Sequence, residues 1–214
     1  MVHSGRDAHV PPERASDALG YPALRVAHSR KVQKGEDFSF AVPDARWVVP
    51  GDDASSDPKR AVHFSAFGLF DGHGGKDCAA HCASETLPAL LAALDRLGPV
   101  PRDVDPEDAF EARLPAALAA AFATLDAAFL ARDIHSGATA TVVVVCGRCV
   151  TTAAVGDSLA TLDCTGGGPK GSKGGGGSGG GGGDPHHHPP APPHKLSPEH
   201  RLDTSASERE RGLA

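Results

Sequence analysis

An acid and a histidine stand two residues apart in Phe67-Gly-Leu-Phe-Asp-Gly-His-Gly-Gly75, where an apolar run meets three glycines. Asp71 offers the hard oxygen donor that divalent cations prefer. His73 can hold or release a proton near neutral pH. Together they suit metal-assisted hydrolysis. The glycines let a ligand approach bare backbone beyond a rigid strand. On residue types alone, a plain surface turn accounts for the junction at least as well, since Asp and Gly are common turn formers.

The elements needed to position this junction are legible around it. Ala61 to Phe70 reads as a strong strand. Leu24 to Ala27 and Asp37 to Val42 read as shorter ones. Ala79, Ala83, Leu87, Leu90, Leu91 and Leu94 recur at helical spacing, with Pro88 expected to kink or split the helix. Asp105-Pro106 is a helix start, with a capping acid followed by proline. Phe110, Leu114, Leu118, Phe122, Leu125 and Phe129 then form one core stripe, with a break expected near Pro115. Thr139 to Val145, Val150 to Val155 and Leu159 to Leu162 read as a three-stranded meander in a sheet covered on both faces.

The chain has 214 residues and a formal charge of −6, which suits one domain and argues against nucleic acid as a partner. No run is expected to cross a membrane, and no signal peptide is visible at the N-terminus. Five cysteines without a secretory signal read as reduced thiols, placing the protein in the cytoplasm or nucleus. Cys78 with Cys82, and Cys146 with Cys149, have suggestive spacings. Without a second pair at zinc spacing they are read as small apolar fillers, Cys146-Gly147 marking a hairpin turn.

Residues 1–22 read as a flexible arm, and residues 23–164 as the main body of the domain. Residues 165–194 hold half of the chain's glycine, a proline cluster and His186-His-His188. That segment is expected to be a disordered insertion, its histidines at most a metal buffer. Residues 195–214 read as the domain resuming and then being cut off.

Five separated motifs occur in an order that resembles the metal-dependent protein phosphatases of the 2C type. They are Gly35-Glu36-Asp37, Phe70-Asp-Gly-His-Gly-Gly75, Ser136-Gly-Ala-Thr-Ala-Thr141, Ala154-Val-Gly-Asp-Ser158 and Leu196-Ser-Pro-Glu-His200. The helix from Leu118 to Phe129 and the closing Glu208-Arg-Glu-Arg211 are similar too, with wording closest to plant members.

The resemblance implies an α+β fold: two antiparallel sheets in a sandwich flanked by helices, as α-β-β-α layers. It implies two Mg²⁺ or Mn²⁺ ions and hydrolysis of phosphoserine or phosphothreonine in phosphoprotein partners, by a monomer. Asp71 would bridge both ions, the Gly72 carbonyl would ligate one, Glu36 would ligate an ion or its water, and Asp37 would support from behind. Asp157 matches a third-metal ligand, and His73 would protonate the leaving alcohol. The family's phosphate-holding arginine falls at Val32, leaving Arg30, Lys31 and Lys34 as candidates. The arginine usual after Gly-Asp-Ser is Leu159. The family also continues beyond its Glu-x-x-Arg helix with further metal ligands. The alternative expectation is therefore a truncated, non-catalytic phosphatase-like chain with at most a partner-binding role.

Overall fold

A computed structural model describes residues 26–27, 34–51, 60–164, 192–198, 200 and 210. Strand β1 (Phe38–Val48) pairs antiparallel with β2 (Ala61–Phe70). The short β3 (Gly72–His73) follows at once and leads into helix α1 (Asp77–Arg96). Helix α2 (Pro106–Leu130) comes next, then the short β4 (Gly137–Ala138). Strands β5 (Ala140–Cys146) and β6 (Cys149–Val155) form a hairpin around Gly147-Arg148. Two short strands, β7 (Thr161–Leu162) and β8 (His194–Lys195), pair with each other. The main sheet has the order β1-β2-β5-β6, all antiparallel, and β3 pairs with β4 in a separate ribbon. The α+β class implied by the resemblance is what these elements form.

One core joins both helices to one face of the sheet. Val62, Phe64, Ala66 and Phe70 of β2 alternate inward, as do Ala140, Val142, Val144 and Cys146 of β5. Leu90 and Leu94 of α1 and Phe110, Leu114 and Leu118 of α2 fill the space above them. The Phe110 ring lies 4.8 Å from that of Phe64 and 5.7 Å from that of Trp47. Each such fully buried side chain contributes about 1.5–3 kcal/mol by leaving water. Trp47 keeps its indole N–H satisfied by donating to Asp95 Oδ1 at 2.8 Å. Among the described residues the other face of the sheet is less covered. Phe67, Val143 and Val145 are half-buried there, and Leu69 and Val150 are exposed. The apolar runs therefore reported strand preference, which β-branched residues show on either face, rather than burial on both.

Several sequence expectations are corrected. Strand β1 runs on to Val48 because Pro43 sits at a register shift between Val42 and Ala45. An edge strand tolerates proline at such a bulge. Pro88 does not split α1, nor Pro115 α2. Both prolines are exposed, and the exposed Ser84 lies one turn before Pro88, so a freed carbonyl there can turn to water. The meander is not formed. Thr141 Oγ1 donates to the Ser158 carbonyl at 3.1 Å, which folds the chain after β6 back across the start of β5. Strand β7 then pairs with β8 instead. His194, which composition groups with the glycine-rich segment, lies in that strand. By length and composition α2 passes for a membrane span, contrary to expectation, because its alanines raise its hydropathy. Its apolar stripe, however, packs into the core. The strand expected at Leu24 to Ala27 lies mostly outside the described residues, as do the segment 165–191 and the Glu208–Arg211 helix apart from Glu210.

Candidate phosphoester hydrolysis site

Strand β2 delivers Asp71 to its end, as the apolar run predicted, and the side chain is exposed. The backbone there is held twice from one residue. Thr139 Oγ1 accepts the Asp71 amide at 3.2 Å, and the Thr139 amide donates to the Asp71 carbonyl at 2.9 Å. Thr139 Oγ1 in turn lies 2.7 Å from Ser158 Oγ. Asp157 precedes Ser158, so this hydroxyl pair brings the turn after β6 to the end of β2.

Asp157 is thereby brought towards Asp71, and the β1–β2 pairing of Phe38 with Phe70 brings Asp37. Although exposed, the Asp71 carboxyl is partly shielded from water by the strand end, and this loss of solvation comes first in raising its pKa above the usual aspartate value. The charge of Asp37, a hydrogen bond shared with Asp37 and the charge of Asp157 raise it further, while His73 acts the other way. Like charges brought this close make it harder for Asp71 to ionise. A dication among them would remove the conflict, and hard oxygen donors of this kind suit Mg²⁺ or Mn²⁺. The donor chemistry therefore fits the ions the resemblance implies. The set is partial, since no group of three His, Cys, Asp or Glu side chains stands close enough to hold an ion among the described residues.

Glu36 has a different task in this geometry. Its Oε1 accepts the Gly75 amide at 3.0 Å, which ties the start of β1 to the glycine turn. Its backbone presses on Gly72 so closely that a Cβ there would stand 2.3 Å from the Glu36 carbonyl oxygen. Glycine at 72 is thus a steric requirement of the junction. Asp37, placed behind the ligands by sequence reasoning, is the residue that touches Asp71.

His73 pairs with Gly137 across the β3–β4 ribbon. The Nε2 edge of the ring lies against that glycine, where a Cβ would come within 2.4 Å of Nε2. The ring is exposed at the rim beside Asp71. Ser136, the residue before Gly137, accepts the Cys78 amide on Oγ at 3.1 Å. It so caps the first turn of α1, whose own Lys76 supplies no side-chain cap. Lys34 is exposed just ahead of Glu36. Arg30 and Lys31 lie outside the described residues. Ser136, Thr139 and Ser158 have structural tasks that the sequence motifs contained but did not reveal.

A family model described as Protein phosphatase 2C matches residues 30–211. Among relatives, "Probable protein phosphatase 2C 15" of Oryza sativa subsp. japonica is 39% identical over 145 residues, covering 68% of this chain and 29% of its own length. "Probable protein phosphatase 2C 12" of Arabidopsis thaliana is 32% identical over 202 residues, covering 94% of this chain and 38% of its own. "Probable protein phosphatase 2C 15" of Arabidopsis thaliana is 32% identical over 207 residues, 97% and 38% respectively. The chain thus spans about a third of the length of these relatives.

Proposed function

The chain belongs to the protein phosphatase 2C family, and from that membership we propose that it serves the hydrolysis of phosphoserine and phosphothreonine in protein substrates. The carrying observation is the gathering of Asp37, Asp71 and Asp157 at the end of β2, with its raised Asp71 pKa. Mg²⁺ or Mn²⁺, held by Asp71 and the Gly72 carbonyl with Glu36 and Asp157 nearby, would supply charge to activate water and to steady the phosphoryl oxygens. Within the chain's own residues, His73 holds a proton on its exposed ring and passes it to the leaving alcohol oxygen. Gly137 keeps that ring at the rim. Thr139 and Ser158 hold the Asp71 backbone. Lys34, with Arg30 and Lys31, draws the phosphate by charge, the arginine able to bind it with two parallel hydrogen bonds. The enzyme is read as a monomer of the cytoplasm or nucleus.

One observation favours a second reading, a non-catalytic phosphatase-like chain that binds partners. Glu36 already spends one carboxylate oxygen on the Gly75 amide, and the described donors do not close around an ion. One experiment decides between the two. The chain is incubated with phosphothreonine peptides and Mn²⁺, beside Asp71→Asn. Phosphate release that needs Mn²⁺ and disappears in Asp71→Asn supports the phosphatase. Peptide binding without release, unchanged in Asp71→Asn, supports the second reading.

A further inference from the structure

The thiols of Cys78 and Cys82 stand one turn apart on α1, close enough for each to bear on the other's ionisation. Both are half-buried, and neither takes part in the site described above. Side chains four apart on a helix hold their Cβ atoms about 5–6 Å apart. A disulfide needs them about 3.5–4.5 Å apart. Direct oxidation of this pair would therefore unwind the first turn of α1. A bridge through one inserted atom fits the helix as it stands.

Charge decides which atom. Burial pushes both thiols up, Cys82 to about 12, and the Asp126 carboxylate on α2 adds a smaller push. A zinc-type ion would need both as thiolates and further ligands to complete a tetrahedron. No third ligand stands by among the described residues. Trivalent arsenic needs neither, because it condenses with two neutral thiols and leaves an uncharged product. We propose that Cys78 and Cys82 form a dithiol site for trivalent arsenicals. With an arsenoxide both S–H bonds break and two As–S bonds form. The arsenic–oxygen bond breaks, and the two protons leave with that oxygen as one water. Nothing is oxidised or reduced. The neutral product suits the half-buried turn beside Asp126. The Cys78 amide donates to Ser136 Oγ, so the bridged turn is anchored to the ribbon that carries His73.

The test titrates the full chain with phenylarsine oxide and reads intact mass and remaining thiols. One phenylarsenic group per chain, with two thiols lost, is expected. The adduct should map to residues 77–96, which trypsin releases after Lys76 and Arg96 with both cysteines intact. Cys78→Ser and Cys82→Ser should each weaken uptake about 100-fold, the scale of advantage a tethered second ligand confers. Cys146→Ser/Cys149→Ser should leave uptake unchanged. An adduct mapped to Cys146 or Cys149 in the wild-type chain overturns the proposal, whether or not any variant folds. So does uptake undiminished in well-folded Cys78→Ser and Cys82→Ser.

Discussion

Thr139 and Ser158, nineteen residues apart, meet hydroxyl to hydroxyl at 2.7 Å directly behind Asp71. This contact makes one unit of the strand that carries Asp71 and the turn that carries Asp157. Its removal is the first expected effect. Thr139→Val should cost about 1 kcal/mol, the usual net worth of a hydrogen bond, because the Asp71 amide can turn to water in part. Urea unfolding should show a lower midpoint at an unchanged slope. Ser158→Ala should behave alike, and the double variant should cost less than the sum, since both act on one contact.

Asp71→Asn should separate stability from chemistry. The folded-state pKa of Asp71 is raised, by loss of solvation first and then by Asp37 and Asp157. A raised acid pKa means that the fold favours the protonated form. Its stabilising contribution is fully present below the ordinary value of 3.8 and is lost as pH rises through the folded value. At neutral pH, without metal, Asp71→Asn should therefore melt at or above the wild-type temperature. That advantage should vanish in acid. Adding Mn²⁺ should raise the wild-type melting temperature and leave Asp71→Asn unmoved. Equal Mn²⁺ shifts in both would remove Asp71 from the metal site.

Gly137→Ala tests the seat of His73. The new methyl group would meet the ring 2.4 Å from Nε2 and drive it off the ribbon. An exposed ring can move, so stability should fall by no more than about 1 kcal/mol. Turnover of a phosphopeptide should fall by up to about 100-fold, the scale for a catalytic group misplaced by an ångström. A variant that keeps full turnover would show that His73 does not transfer the proton.

Alkaline pH should loosen the fold through its buried thiols. Burial pushes Cys82 and Cys146 from 9.0 up to about 12. In the unfolded chain both ionise near their ordinary value, while in the fold they keep their protons. Stability is therefore fully present below pH 9 and declines between 9 and about 12. Alkylation at pH 8.5 should label the exposed Cys164 before Cys82 or Cys146. Faster labelling of Cys146 would contradict its burial.

Much of the frame could be read along the chain because its causes are local. Asp105 caps α2 through the Glu107 and Asp108 amides, one turn from where it stands in the sequence. The stripe Phe110, Leu114, Leu118, Leu125 and Phe129 is buried as its spacing requires. The β5–β6 hairpin closes at Cys146 and Cys149 around Gly147. Asp71 ends β2 because an apolar run stops there. Each of these depends on a period or a turn within a few residues.

What lies between distant residues had to wait for the fold. Sheet order β1-β2-β5-β6 places β5, seventy residues on, beside β2, and the register sets Leu69 against Thr141. That register, and no periodicity, brings Thr139 to Asp71 and Ser158 to Thr139. The β1–β2 register, Phe38 against Phe70, brings Asp37 to Asp71, and the β3–β4 ribbon lends Ser136 to the start of α1. Pro88 and Pro115 were read as breaks because a missing amide is local, but whether its freed carbonyl meets water depends on which face the core leaves outside. Local spacing and turn chemistry set the helices, the hairpin and the acid at the strand end. Tertiary structure alone decided which groups share the site, because pairing across the sheet depends on long-range burial and register that no local spacing encodes.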